Sequence, residues 1–156
     1  MVDSSMGDSF DNFTLYGLKP VVGYPISAKF GDDRTDLAAK LNLKHKTHRG
    51  IDFACPVGTE IKAYLDGIVQ LAGQEESFGT RIWIYSDIPE KIKAVRHGYM
   101  HLTDIQVLIG HKVKQGDIIG HSGATGKTTG PHLHFELRIL PEDRAIQPYF
   151  YDLRGQ

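Results

Sequence analysis

The chain has 156 residues, 40% of them hydrophobic and 10% aromatic, enough for one domain with its own core and too few for two. Lys and Arg total 18 against 19 Asp and Glu, so no field of one sign exists to gather nucleic acid or an acidic membrane surface. The single cysteine, Cys55, cannot close an internal disulfide, and no apolar run approaches the ~18 residues of a membrane-spanning helix.

Residues 1–19, rich in Ser, Asp and Gly, suit a polar N-terminal arm, and residues 20–156 are expected to form the folded domain. The opening MVDSSMGDSFDNF is polar and acidic where a secretory signal is basic and then apolar, so no signal peptide is expected in this chain. TDLAAKLNL, with Thr35 and Asp36 ahead of Leu37, Leu41 and Leu43, predicts a short helix. After Gly50 the text turns to β: EIKAYL, a turn signal at Asp66-Gly67, IVQLAG, then TRIWIYS with Ile82 and Ile84 alternating against Trp83 and Tyr85. Further short strands are expected around KAVRHGYMHL, VLIG, DIIGHSG and HLHFELRI. This spacing predicts a mainly β domain, an antiparallel barrel or sandwich with at most one or two short helices.

Eight histidines punctuate this pattern. In HLHFELRI the period of a strand puts His132, His134, Glu136 and Arg138 on one face and Leu133, Phe135, Leu137 and Ile139 on the other. Imidazoles two apart on a strand lie ~7 Å apart, so one can bind a metal while the other faces what the metal holds, or both can be ligands. In HRGIDF, His48 and Asp52 flank Gly50, and an imidazole and a carboxylate can converge from such a turned segment. A catalytic zinc site commonly offers three protein ligands and keeps a fourth position for water; His48, Asp52 and one of the H-x-H pair make three. RHGYMHL lacks the Glu after His97 that H-E-x-x-H requires, and Gly98 opposes a helix. On a strand, His97, Tyr99 and His101 would share a face, with Met100 and Leu102 opposite.

Together HRGID at 48–52, YMHL at 99–102 and GPHLHFE at 130–136 resemble, in order, the marks of the lysostaphin-type (LytM-like) zinc endopeptidases of bacterial cell walls. PVGTEIKAYLDGIV and VKQGDIIGHSGATGKTTGPHLHFELR extend the likeness over about residues 25–140. The resemblance implies one Zn2+ ion held by His48, Asp52 and His134, with His101 and His132 as catalytic residues facing the substrate and the attacking water. It also implies an antiparallel β-sheet core whose Gly-rich loops wall a narrow groove with zinc at its floor, and a peptide of peptidoglycan, stem or cross-bridge, as substrate. Such a chain would act on the cell wall, in the extracellular space, the periplasm or a phage particle. Tyr99 is a further candidate donor.

Departures from the pattern carry expectations of their own. The spacer SDIPEKIKAVRHGYMHL, with Pro89 and its charges, is expected to reshape one wall of the groove, and the long stretch DDRTDLAAKLNLKHK to overhang it. Cys55 reads as core. Among histidines outside the ligand set, His45, His97, His111 and His121 default to surface, His97 being the first candidate for an exception. GHSGATGKT is not a phosphate loop, because His121 stands where the first Gly belongs and a strand follows; its glycines are expected to let the turn pass close to substrate. A structural zinc site would close four positions with Cys and His, which one cysteine opposes. Against the enzyme stands a non-catalytic or latent wall-binding or activator module of the same fold; in a latent form Asn12 or a neighbour would fold back to occupy the fourth zinc position.

Overall fold

The computed structural model describes residues 13–151; Asn12 and the rest of the first twelve residues lie outside them. Twelve strands and one short helix follow in order: β1 Tyr16–Leu18, β2 Ile26–Ala28, α1 Thr35–Leu41, β3 Ile51–Phe53, β4 Glu60–Lys62, β5 Gly67–Glu75 and β6 Gly79–Ile88. A 3-10 turn at Pro89–Lys91 then leads into β7 Lys93–Ile105, β8 Lys112–Val113, β9 Ile118–Ser122, β10 Leu133–Leu140, β11 Arg144–Ile146 and β12 Tyr149–Tyr151. Ten strands make one sheet with the path β2-β3-β10-β7-β6-β5-β8, to which β11, β4 and β9 attach. Every pairing within it is antiparallel, as the short alternating strands foretell. The one short helix also falls where TDLAAKLNL places it.

Alternation along the strands separates two faces. Ile82 and Ile84 of β6, Tyr99 of β7, and Leu133, Phe135, Leu137 and Ile139 of β10 turn inward with Phe53, Ile61 and Tyr64 to form the core. Fully burying side chains of this size stabilises by roughly 1.5–3 kcal/mol each. Trp83 is buried on the opposite face, where the guanidinium groups of Arg96 and Arg138 lie 4.0 and 5.1 Å from its ring. Cys55 is a free, buried thiol, as its apolar neighbours suggest. Among the described residues no helix is long and apolar enough to cross a membrane.

Two local readings are corrected. Asp66-Gly67 does not turn β4 into β5: β4 pairs with β9, and β5 pairs with β6 and β8. VLIG is a loop rather than a strand, because the Gly110 N–H donates to Val69 O and the Val69 N–H to His111 O, pinning a turn onto β5. At the N-terminus, Tyr16–Leu18 pairs in parallel with Tyr149–Tyr151, and Leu15 and Leu18 are buried, so the segment from residue 13 packs onto the domain.

Candidate metal centre

Asp52 of β3 lies directly opposite His134 of β10, and His48 enters just ahead of β3. Gly50 permits this approach: a Cβ there would fall 2.2 Å from the Phe135 carbonyl oxygen and 3.0 Å from Cε1 of His134, closer than any side chain allows. Three buried side chains consequently converge. His48 Nε2 is 3.1 Å from Asp52 Oδ1, His134 Nδ1 is 2.8 Å from the same oxygen, and the two nitrogens are 3.2 Å apart. Each offers one atom to a common centre.

The far side of each ring is already committed. His48 Nδ1 lies 2.8 Å from Lys29 O and donates to it, and His134 Nε2 lies 2.8 Å from Glu136 Oε2 and donates to that carboxylate. These partners leave His48 Nε2 and His134 Nδ1 facing inward, where they could serve a metal ion. Glu136 is itself held: Arg138 Nε and Nη2 donate to its other oxygen at 3.0 and 2.7 Å. Arg138 also reaches Asp143 at 3.1 Å, and Arg96 grips Asp143 through Nε and Nη2 at 2.7 and 2.9 Å. A run of charge pairs thus anchors one inward-facing ring to the sheet.

The electrostatics ask for a cation at the centre. Burial alone raises the Asp52 carboxyl, but hydrogen bonding to His134 and His48 outweighs it and holds that carboxyl far below its usual range. Glu136 is likewise drawn down to about 2, burial opposing and His134 and Arg138 prevailing. His134 is raised to about 9, because Asp52 and Glu136 overcome the effect of burial. A proton on Nδ1 or a divalent metal in its place answers this demand, and metal binding releases such protons. The separations of 2.8 to 3.2 Å among the three inward atoms lie close to the ~3.3 Å edge of a zinc tetrahedron with bonds of ~2.0 Å. The donor set therefore fits a divalent metal such as zinc.

Two further imidazoles flank the cluster. His101 sits on β7 at φ 65°, at a break in register with β6. The strained bulge swings its ring out of the strand's alternation, to 4.9 Å from the His132 ring and 6.2 Å from the His134 ring. His101 Nδ1 donates to Thr125 O, at 2.6 Å, and burial above all lowers its pKa to about 4. His132 Nδ1 donates to Gly130 O, at 2.9 Å, and its Nε2 is 3.7 Å from Asp52 Oδ1. In each ring Nδ1 is thus committed to a backbone carbonyl, and in His132 it is Nε2 that turns to the cluster. A cavity of about 390 Å³ opens over these residues.

All five residues singled out by sequence, His48, Asp52, His101, His132 and His134, line this cavity. Tyr99 and His97 do not: both are fully buried on the core side, with the Tyr99 hydroxyl 2.7 Å from His97 Nδ1 and accepting from the Tyr64 N–H at 2.8 Å. The bulge separates His101 from them, where a regular strand would have kept all three on one face. The spacer around Pro89 forms no part of the cavity wall, since its 3-10 turn lies at the far end of the β6–β7 pair from His101. Leu37, Leu41 and Leu43 of the long insertion do line the cavity. The turn packs closely on a neighbouring loop: a Cβ on Gly126 would fall 2.4 Å from Gly79 N, and one on Gly79 2.4 Å from the Thr125 carbonyl carbon. Sequence reasoning assigned no role to Arg34, whose Nη2 donates to Asp52 Oδ2 at 3.1 Å, or to Glu136. Glu136 shares the strand face of His134, a signal already visible in the period-2 pattern.

Residues 46–148 match peptidase family M23. A metalloprotease of Buchnera aphidicola is 44% identical over 125 residues, covering 80% of this chain and 31% of that protein. A peptidoglycan DD-endopeptidase of Vibrio cholerae is 40% identical over 94 residues, covering 60% of this chain and 21% of that protein. The chain thus spans a third or less of the length of these curated relatives. The crystal structure of a zinc-containing peptidase from Vibrio cholerae superposes with a TM-score of 0.69 at 30% identity, over 86% of this chain and 38% of that one.

Proposed function

Because the chain belongs to peptidase family M23, the lysostaphin-type family to which its motifs point, we propose that it is a zinc-dependent endopeptidase hydrolysing peptide bonds of bacterial peptidoglycan, with the cell wall as its site of action. His48, Asp52 and His134 hold the metal in this reading, and His101 and His132 are the catalytic residues. The observation that carries it is the convergence of two imidazole nitrogens and one carboxylate oxygen within 3.2 Å, with the His101 and His132 rings 4.9 Å apart beside them.

A zinc ion held by His48, Asp52 and His134 would supply Lewis acidity, activating water and polarising the scissile carbonyl. The chain's own groups do the rest. Arg34 fixes Asp52 through the oxygen that faces away from the two histidines, while Glu136 and Lys29 fix the two ligand rings. His101 is neutral at neutral pH and offers Nε2 to take a proton from the attacking water, and His132, whose ring lies 4.9 Å away, presents its own Nε2 beside it. The ring that takes the proton becomes an imidazolium able to hydrogen-bond the developing oxyanion or to return that proton to the leaving amine. Phe78, nearly parallel to the His134 ring at 6.4 Å, lines the cavity beside the centre.

The test is digestion of two purified walls, one with glycine bridges and one with directly linked diaminopimelate stems, with and without chelator. New amine ends are identified by mass spectrometry. Chelator-sensitive release of peptide amines is expected; metal-loaded protein that releases none from either wall would overturn the enzyme reading in favour of a wall-binding module.

A further inference from the structure

The chain as a whole carries a net charge of −1, yet its cavity is cationic. Five Lys and Arg line it, Arg34, Lys44, Arg49, Lys127 and Arg138, against three carboxylates, Asp52, Glu75 and Glu136. Arg34 is matched to Asp52 and Arg138 to Glu136. The Glu75 carboxylate accepts the Phe78 N–H at 2.7 Å and shapes its own loop. Among the described residues, Lys44, Arg49 and Lys127 pair with no carboxylate. Lys127 Nζ donates to Asn42 O at 3.1 Å, which ties its loop to the end of α1, and Arg49 lies against the His45 ring. His45 senses this surplus: burial first, then Arg49, Arg138 and Lys44, hold it below the usual imidazole range against the opposing pull of Glu136.

The same cavity is lined by apolar side chains, Leu37, Leu41 and Leu43 from the insertion together with Phe78. A glycine bridge has neither side chains to pack against that lining nor carboxylates to meet those cations. A directly linked stem peptide has both: methyl groups from its alanines and free carboxylates from its acidic and diamino-acid residues. We infer that Lys44, Arg49 and Lys127 form a carboxylate-recognition rim that selects anionic, directly cross-linked stem peptides over glycine bridges. This specificity rests on the endopeptidase reading above. The cations sit at the mouth of the cavity, partly or fully exposed to solvent. Each is therefore expected to contribute about two- to fivefold in affinity at low salt, as solvent-screened pairs do.

The experiment uses zinc-loaded protein and three soluble peptides: a stem-peptide dimer with free carboxylates, the same dimer with its carboxylates amidated, and pentaglycine. Turnover is measured on these, and binding on versions N-methylated at the scissile amide, which cannot be cut. The expected result is tightest binding and lowest KM for the free-carboxylate dimer, with the advantage over the amidated dimer falling roughly tenfold in the Lys44→Gln/Arg49→Gln/Lys127→Gln protein. Raising salt should shrink it likewise. Lys44→Glu alone, checked for an unchanged melting temperature, should invert part of the preference even where the triple variant folds poorly. Equal affinity for charged and amidated dimers, or preference for pentaglycine, overturns the rim while leaving the endopeptidase intact. Selective binding of the anionic dimer without cleavage of any peptide supports the rim and overturns the endopeptidase reading.

Discussion

Lowering the pH should loosen the fold through one histidine that the chemistry does not use. His97 is fully buried on β7, and every polar atom of its neutral ring is satisfied. Nε2 donates to Ser86 Oγ at 2.9 Å, Ser86 in turn donates to Asp66 O, and Nδ1 accepts from the Tyr99 hydroxyl at 2.7 Å. A second ring proton would take from that hydroxyl its only acceptor in this chain of bonds. Burial accordingly pulls the His97 pKa from 6.5 down to about 3. Because the folded pKa is the lower one, the unfolded chain binds the extra proton first. The stability that the neutral ring confers is therefore complete above pH 6.5 and is lost as pH falls toward 3. At about 1.4 kcal/mol per unit the full loss is of order 5 kcal/mol, and by pH 5 it reaches about 2 kcal/mol. Urea unfolding of wild type and His97→Gln at pH 7.5 and pH 5, both in chelator so that metal release does not differ between them, isolates this effect. The variant should be less stable at pH 7.5 and lose about 2 kcal/mol less than wild type on acidification. Parallel losses in the two proteins would refute the assignment of a neutral, proton-excluding His97.

Other consequences concern the site. Glu136→Gln, which keeps the shape but removes the charge facing His134, should weaken zinc affinity about 10- to 100-fold, measured by competition with a chelating dye; unchanged affinity would count against Glu136 as the group that orients the ring. His101→Gln and His132→Gln should each keep bound zinc yet lower kcat about 100-fold or more, and loss of the metal from either would place that residue among the ligands instead. Gly79→Ala forces a Cβ onto Thr125 at a backbone φ of 68° and should destabilise by about 1–3 kcal/mol; a melting temperature equal to wild type would show that the two loops can separate freely.

Much of this protein is legible along the chain, because alternation is a local property. The strand period in residues 132–139 divides core from chemistry, and the structure keeps that division at every position: Leu133, Phe135, Leu137 and Ile139 are fully buried in the core, while His134, Glu136 and Arg138 are joined in one charged ladder on the other face. The short helix, the predominance of antiparallel strands and the buried Cys55 follow from equally local cues. Tertiary structure decided what alternation cannot express. His48 meets His134 across 86 positions of sequence, a contact made by strand pairing and permitted by a glycine at the crossing. His101 reaches the site only because a bulge breaks the alternation that buries His97 and Tyr99. Arg34 acquires its meaning from a partner on another element, Asp52 of β3. A side chain's face is encoded by its immediate neighbours, whereas its partner is set by which strands pair and where their register slips, and those depend on the packing of the whole sheet.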